Sequence, residues 1–184
     1  MLFLHKICDG DFFCENLPKN IVKKAELKKI KADKEQSLSA YSSIYKLLSI
    51  LKIKDEISFL ENGKPVLKGE SAYISSSHSD KYVFCGVSKN PIGVDVEKIR
   101  PVNLKVARRF CSEEEIKMCT NLQTFFRLWT LKEAYYKLYG KVEDIKKIEF
   151  SFNEEFVVCS DKKIKAKSFL KNDLAIAVCE ECTY

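Results

Sequence analysis

Residues 124–140 of this sequence are Thr-Phe-Phe-Arg-Leu-Trp-Thr-Leu-Lys-Glu-Ala-Tyr-Tyr-Lys-Leu-Tyr-Gly, and they carry the strongest helical pattern in the chain. Apolar residues recur there at the spacing of one helix face: Leu128, Leu131, Tyr135 and Leu138. Gly140 is typical of the residue that ends a helix. Glu133 and Lys137 are four residues apart, so they lie side by side on a different face. The pattern predicts an amphipathic helix over 124–139.

Taken alone, the polar side of this helix has an ordinary structural interpretation. A Glu133–Lys137 pair on an exposed helix is worth only about 0.3–0.5 kcal/mol. Trp129, beside the apolar stripe, is typical of a core residue, and Lys132 is solvated if the helix is exposed. A function for this helix therefore depends on what else lies near it.

The second informative segment is the pentapeptide Gly93-Val-Asp-Val-Glu97. In a strand its side chains alternate, which puts Asp95 and Glu97 on one face and the two valines on the other. Two like charges so placed repel each other unless a cation lies between them. The alternative is an exposed strand whose acids pair with Lys98 or Arg100.

The two segments together predict a magnesium site made of Asp95, Glu97 and Glu133. Mg²⁺ prefers oxygen ligands and commonly keeps water and substrate phosphates in its coordination shell. Lys137, one turn beyond Glu133, is suited to the negative charge of a leaving phosphate. We therefore expect group transfer from a cosubstrate that contains a diphosphate.

Composition narrows the class of partner. The chain has 184 residues, a formal net charge of +6, and 28 lysines against four arginines, and seven of the lysines fall between Lys19 and Lys34. This favours an acidic protein or a phosphorylated small molecule as partner. No arginine-rich pattern suggests nucleic acid, and no apolar run has the roughly 20 residues of a membrane span. We expect a cytoplasmic protein that binds neither nucleic acid nor a membrane.

Eight cysteines are present, but their context does not predict disulfides. Cys85 and Cys159 lie in apolar runs that suit buried thiols. Cys179 and Cys182 form one isolated C-x-x-C pair, which would need two further ligands at matching spacing to hold zinc. Its role stays open.

The remaining patterns predict an α+β fold with two similar lobes, over residues 1–90 and 91–184, joined in one compact unit. Each lobe is expected to pack a long helix on a small antiparallel sheet. The expected elements are a strand at 2–8, a basic helix opened by Pro18, a helix at 34–51 with Asp33 as N-cap, a strand at 56–60, a β-hairpin at 82–97, a capping box at Ser112 and Glu115, and strands near 148–152, 155–159, 163–170 and 173–180.

These motifs resemble those of the 4′-phosphopantetheinyl transferases of the longer, Sfp-like class. That family carries G-[IV]-D-[VI]-E on a strand and, about 30–45 residues later, W-x-x-K-E-[AS]-x-x-K on a helix. Both stand here, at Gly93–Glu97 and Trp129–Lys137. A Gly-Lys-Pro turn at 63–65 and a Ser-His pair at 77–78 match two further family features. The resemblance covers roughly residues 30–150.

The resemblance implies a pseudodimer of two α+β lobes with the site at their junction. It implies Mg²⁺-dependent transfer of the phosphopantetheine arm of coenzyme A to a serine of an apo acyl, polyketide or peptidyl carrier protein, with release of adenosine 3′,5′-bisphosphate. Asp95, Glu97 and Glu133 would hold the metal. Glu133 or a metal-bound water would take the serine proton, and Lys137 would assist the leaving group.

The resemblance also implies a coenzyme A site in the N-terminal lobe. Its residues would be Gly63, Lys64, Pro65, Ser77 and His78, together with Lys137. Family members often carry an arginine at the start of the first long helix, where this chain has Gln36. Lys23 is our candidate for the 3′-phosphate contact instead.

Two other functions stay open at this point. The same carboxylates would serve a Mg²⁺-dependent diphosphate hydrolase, with water as the nucleophile. A non-catalytic module that docks acidic carrier proteins through its lysines would carry the same charge. Internal duplication favours a monomer in each case.

Overall fold

Two long helices, each packed on its own antiparallel sheet, organise the chain. The computed structural model describes residues 1–7, 17–152 and 156–182. The chain divides into two compact units, Met1–Lys89 and Asn90–Tyr184. Within the described part of the chain, no helix is both long and apolar enough to cross a membrane.

The described residues of the first unit form two helices and five strands: β1 (Leu2–Lys6), α1 (Lys19–Glu26), α2 (Lys31–Ile50), β2 (Ile57–Phe59), β3 (Pro65–Leu67), β4 (Tyr73–Ser79) and β5 (Tyr82–Ser88). Its main sheet has the order β1-β5-β4, and β2 pairs with β3. The core lies between α2 and this sheet, where Ile44 and Leu47 pack with Val83 and Cys85. Pro18 is the N-cap of α1.

Where the structure describes it, the second unit has two helices, two 3₁₀ segments and five strands: β6 (Ile92–Lys98), a 3₁₀ segment (Leu104–Arg109), α3 (Glu113–Met118), α4 (Leu122–Tyr139), a 3₁₀ segment (Ile145–Lys147), β7 (Phe150–Phe152), β8 (Val157–Cys159), β9 (Ile164–Lys171) and β10 (Leu174–Glu181). Its main sheet has the order β6-β10-β9, and β7 pairs with β8. The apolar stripe of α4, including Leu128, Leu131 and Leu138, is buried in this unit's core.

The two units repeat one topology. Each begins with a strand, continues through a long helix and a two-stranded ladder, and ends with two adjacent strands. In both main sheets the first strand pairs with the last, and the last pairs with the one before it. The predicted α+β class, with two similar lobes that each place a long helix on a small antiparallel sheet, is confirmed.

One predicted pairing is wrong. Strands form at both ends of residues 82–97, but β5 pairs with β1 and β4, whereas β6 pairs with β10. The break at Lys89–Pro91 therefore passes the chain from one sheet to another instead of turning a hairpin. Local β-propensity predicts that a strand forms, but its partner is chosen by packing between distant segments.

Helix ends follow the predicted signals in α3 and α4 but not in α2. Ser112 and Glu115 form the predicted capping box of α3, and Gly140 ends α4 in the left-handed conformation with φ of 72°. The N-cap of α2 is Ile30, so Asp33 lies inside its first turn and the prediction for that residue is wrong. The negative charge of Asp33 is still favourable there, because it lies near the positive N-terminal end of the helix dipole.

Candidate active site

The site of the second unit depends on a close approach between strand β6 and helix α4. A Cβ atom built on Gly93 would lie 1.9 Å from the Ala134 carbonyl oxygen and 2.7 Å from the Leu138 amide nitrogen. Any larger residue at position 93 would collide with the helix backbone. Gly93 therefore lets α4 lie directly against the strand that carries Asp95 and Glu97.

Small residues on β10 extend this contact surface. Ala177 pairs with Asp95, and Ala175 pairs with Glu97, and both alanines are fully buried. Cys179, opposite Gly93, donates its thiol hydrogen to the Leu131 carbonyl of α4 at 3.7 Å. Burial holds the pKa of the Cys179 thiol well above its usual value, so this cysteine acts as a small core residue.

Asp95 and Lys137 form a direct ion pair across this contact. The Lys137 ammonium donates to Asp95 Oδ1 at 2.7 Å. The Asp95 side chain is 4% exposed and that of Lys137 is 30% exposed. Val94 and Val96, on the opposite face of β6, are fully buried. Both faces of β6 are thus buried at this point, and Asp95 lies on the face that meets α4.

Glu133 lies on helix α4, one turn before Lys137, and is half-buried. Burial raises the pKa of the Glu133 carboxyl, the Lys137 charge lowers it, and the negative charge of Glu97 raises it further. Glu97 also accepts a hydrogen bond from Arg100 Nη1 at 3.1 Å. The four motif side chains, three carboxylates and the Lys137 ammonium, therefore influence one another electrostatically.

The donor chemistry of this cluster fits Mg²⁺. It offers only carboxylate oxygens, and the repulsion between Glu97 and Glu133 is the kind that a cation relieves. Over the described residues, no group of three acidic, histidine or cysteine side chains is assembled tightly enough to hold a metal ion. Lys137 supplies positive charge to Asp95 in this arrangement.

Lys132 has a different role from the one predicted for an exposed helix. Its side chain is 2% exposed and lies 2.7 Å from Glu115 Oε2, which is also buried. The ammonium further donates to the carbonyl oxygens of Ile145 and Ile148. Glu115 Oε1 accepts from the Phe150 amide at 2.8 Å. This buried pair ties α4 to α3 and to the start of β7.

Trp129 is a packing residue, as the apolar stripe indicates. Its ring contacts Phe110 edge to face, with centroids 4.9 Å apart. It is only partly buried at the edge of the core cluster. The structure gives it no polar role at the cluster of Asp95, Glu133 and Lys137.

In the first unit, the Gly-Lys-Pro segment forms the turn between β2 and β3. Lys64 is half-buried, and burial lowers the pKa of its ammonium group. The lysine that contacts this turn is Lys24, not Lys23. Lys24 Nζ donates to the Gly63 carbonyl oxygen at 3.0 Å and lies 3.3 Å from the centre of the Phe59 ring. Lys23 is exposed.

Sequence patterns could have distinguished these two lysines. Ile21 and Ala25 are the buried residues of α1. Lys24 lies three residues after Ile21, beside that buried face, whereas Lys23 is directed away from it. Burial first, and then the charge of Lys28, lowers the pKa of Lys24.

Ser77 and His78 are adjacent on β4 but face opposite sides of the strand. Ser77 is buried, and His78 is exposed. Gln36 contributes no charge near them; its side-chain amide donates to the Asp80 carbonyl oxygen at 2.6 Å. That contact ties α2 to the turn between β4 and β5.

Comparison with known proteins agrees with the motifs. The family model of the 4′-phosphopantetheinyl transferase superfamily matches residues 91–179, which lie within the second unit and make up just under half of the chain. The curated relatives that the chain matches include 4′-phosphopantetheinyl transferases, Sfp among them.

Two of those relatives illustrate the likeness. The 4′-phosphopantetheinyl transferase gsp of Aneurinibacillus migulanus is 36% identical over 104 residues, covering 52% of this chain and 44% of the relative. The 4′-phosphopantetheinyl transferase Sfp of Bacillus subtilis is 37% identical over 97 residues, covering 48% of this chain and 43% of the relative. The chain thus spans less than half the length of the curated relatives it matches.

Solved structures give a more distant likeness. A holo-[acyl-carrier-protein] synthase of Helicobacter pylori, determined in complex with coenzyme A, is 24% identical with a TM-score of 0.41. The match covers 50% of this chain and 99% of that one.

Proposed function

We propose that this protein is a Mg²⁺-dependent 4′-phosphopantetheinyl transferase that acts on the serine of an apo carrier protein. The serine oxygen forms a bond to the phosphorus that bears the pantetheine arm of coenzyme A. The bond from that phosphorus to adenosine 3′,5′-bisphosphate breaks. The observation that carries the proposal is the meeting of Asp95, Glu133 and Lys137 where β6 touches α4.

Glu133 is our candidate for the group that accepts the serine proton. A general base works best when its pKa lies near the operating pH. Burial moves the Glu133 pKa upward from that of an ordinary carboxyl group, and Glu97 adds to the shift. The side chain is nonetheless only half-buried, so it can meet a substrate hydroxyl.

Asp95, Glu97 and Glu133 are the residues that we propose to hold Mg²⁺. When bound, the ion would neutralise charge on the diphosphate and make the bridging bond easier to break. Lys137 already holds Asp95 Oδ1, so the ammonium and the ion compete for that oxygen. A lysine released from Asp95 is free to stabilise the negative charge of the departing bisphosphate.

In the first unit, the proposed coenzyme A contacts are the turn of Gly63, Lys64 and Pro65, together with Ser77 and His78. Lys24 joins them because it binds the turn directly. Lys23 stays a candidate because its exposed ammonium can reach a phosphate without losing an internal contact. Lysines suit this role as mobile point charges for phosphate groups.

The proposed acceptor is an acidic carrier protein, in keeping with the net charge of +6. Carrier identity is a matter for experiment among fatty-acid, polyketide and peptide-synthetase carriers. The cytoplasmic location and the monomeric state predicted from the sequence stay predictions.

The test is transfer to a set of purified apo carriers, with coenzyme A and Mg²⁺, measured by intact mass. We expect the wild-type chain to add one phosphopantetheine per carrier. Asp95→Asn and Glu133→Gln should lower the rate at least about 100-fold, as expected when a group that acts only in the transition state is lost.

Glu143→Gln is the matched control, because Glu143 is an exposed carboxylate outside the cluster. It should react at the wild-type rate. Full activity in Asp95→Asn or Glu133→Gln would refute the residue assignment. Absence of any mass gain across the carriers, with folded protein, would refute the proposed function.

A further inference from the structure

A basic groove lies outside the candidate active site, between strands β8 and β9 of the second unit. Its volume is about 790 Å³, within the range of specific ligand sites. Six consecutive residues of β9, from Ile164 to Phe169, line it, as do all three residues of β8. We refer to it as the β8–β9 groove.

The lining pattern shows that the groove follows strand backbone. Alternate side chains of a strand point to opposite faces, so one face alone would contribute only every second residue. A run of six consecutive residues therefore indicates that the groove runs along the edge of β9. In the sheets that the structure describes, β9 bonds only to β10 and β8 bonds only to β7. β8 packs beside β9 without pairing to it, so among the described strands neither of these two edges is hydrogen-bonded to a further strand.

The described residues that line the groove carry charge of one sign. The charged residues among them are Arg127, Lys162, Lys165 and Lys167, and none of the described lining residues is acidic. The Arg127 guanidinium donates from Nε to Ser168 Oγ at 3.1 Å and lies 4.0 Å from the centre of the Phe152 ring. These two contacts hold the positive charge of Arg127 at the groove.

Apolar side chains complete the lining. Phe156, Val158 and Phe169 all line the groove and are all strongly exposed. Burial of such side chains by a partner is favourable at about 25 cal/mol per Å² of apolar surface removed from water. Open strand edge, positive charge and apolar surface therefore occur together in one place.

We propose that the β8–β9 groove binds an acidic, extended peptide segment that pairs with the open edge of β9. Main-chain hydrogen bonds to the edge would give affinity, and alternate side chains would give specificity. Acidic residues of the segment lie on the face of β9 that carries Lys165 and Lys167, and the apolar residues between them lie on the opposite face, with Ile164 and Ala166. Nucleic acid would satisfy the lysines but would leave the strand edge unpaired.

This inference goes beyond phosphopantetheine transfer, because neither Asp95 nor Glu133 lines the groove. Binding can be measured without coenzyme A and without turnover. Failure of the groove to bind a peptide therefore does not affect the proposed function. Failure of phosphopantetheine transfer likewise does not affect the proposed peptide binding.

The probe is a fluorescent eight-residue peptide of alternating Glu and Val, titrated by anisotropy against the full chain. We expect saturable binding that weakens about tenfold for the Lys165→Glu/Lys167→Glu double variant, which corresponds to loss of about 1.4 kcal/mol. Lys171→Glu is the matched control, since Lys171 is exposed on the same strand but does not line the groove. It should bind within about twofold of the wild type. Thermal unfolding checks that all variants fold.

A second peptide tests the backbone pairing. It carries Pro in place of alternate Val residues, which removes amide donors while keeping the charge. We expect its binding to be lost, and we expect the Glu-Val peptide to protect amides of residues 164–169 from hydrogen exchange. Equal binding of both peptides, an equal effect of Lys171→Glu, no saturation, or preference for a single-stranded oligonucleotide would each overturn the proposal.

Discussion

At the scale of single residues, Glu133 combines two opposed properties. The chemistry that we propose needs it as an ionised carboxylate, but burial and the charge of Glu97 raise its pKa and favour the neutral form. A carboxyl group whose pKa is higher in the folded than in the unfolded protein lowers the free energy of unfolding when it is ionised. This loss of stability decreases as the pH falls through the folded pKa and the group takes up a proton. The ionised Glu133 carboxylate that the proposed chemistry needs therefore destabilises the folded protein.

Glu133→Gln should therefore stabilise the metal-free protein near neutral pH. We expect its melting temperature to rise by about 1–3 °C, since Gln removes a partly buried charge and keeps the shape of the side chain. The gain should shrink as the pH falls toward the range where Glu133 takes up a proton. Thermal unfolding at several pH values without Mg²⁺ measures this, and a lower melting temperature at pH 7 would contradict the electrostatic account.

Lys137→Gln should separate metal binding from turnover. Loss of the ammonium removes the competitor for Asp95 Oδ1, so the variant should bind Mg²⁺ about 3–10-fold more tightly than the wild type, by the gain of about 1 kcal/mol expected of a freed carboxylate. Its kcat should fall because the leaving phosphate loses a cation. Calorimetry and steady-state kinetics measure the two effects. Weaker Mg²⁺ binding in the variant would argue against the competition.

At the scale of elements, the site depends on how closely α4 approaches β6 and on what fixes the far side of the helix. On one side of α4, the missing side chain of Gly93 lets the helix backbone lie directly against β6. The buried Lys132–Glu115 pair anchors the other side to α3 and to the chain that leads into β7. Lys132 thus has a structural role, whereas the role that we propose for its neighbour Glu133 is chemical.

Gly93→Ala should destabilise the protein by roughly 3 kcal/mol, because its methyl group would collide with the backbone of α4 and not with a movable side chain. Gly140→Ala is the comparison, since only its left-handed backbone is strained, at a cost of about 1–2 kcal/mol. Urea unfolding measures both. A cost for Gly93→Ala no larger than that for Gly140→Ala would refute the close approach.

Lys132→Met should cost about 3–5 kcal/mol, since it leaves the Glu115 carboxylate buried without its cation. Adding Glu115→Gln to this variant should restore part of the stability, because a neutral amide carries no uncompensated charge. Chemical unfolding of the single and double variants gives the two values. A loss below 1 kcal/mol for Lys132→Met would show that the pair is solvated.

Elements were predicted from the sequence more successfully than their partners. The α3 capping box and the end of α4 at Gly140 rest on local signals, so their positions were predictable. The burial of Lys132 was not, because a lysine on the side of an amphipathic helix carries no local sign of its buried partner. Glu115 lies 17 residues away in sequence and belongs to another helix.

At the scale of the whole molecule, the two units share one topology, but only the second unit carries the carboxylates of the candidate site. The first strand of each unit pairs with that unit's last strand. Only the second unit's first strand carries acidic residues at its centre, because β1 reads Leu-Phe-Leu-His-Lys. The matched family region also lies in the second unit. Duplication of the fold was therefore visible in element order, whereas sequence likeness concentrates where the carboxylates are.

Contacts between segments that are distant in sequence account for the predictions that are wrong or that stay open. The hairpin predicted at 82–97 is wrong because β5 and β6 belong to different sheets, which strand propensity alone does not indicate. The choice of Lys23 stays a prediction, although Lys24 is the lysine that contacts the turn. Motif residues on β6 and α4 were predictable because strand and helix periodicity fix which of them share a face.

The account is tested most directly by following coenzyme A and the carrier protein in the same reaction. We predict that each adenosine 3′,5′-bisphosphate released corresponds to one carrier molecule that gains one phosphopantetheine on its serine, and that omission of Mg²⁺ or of the carrier stops both. Cleavage of coenzyme A at an undiminished rate without any carrier would indicate a diphosphate hydrolase. Carrier binding without any mass gain would indicate a non-catalytic module, and either result would contradict the account.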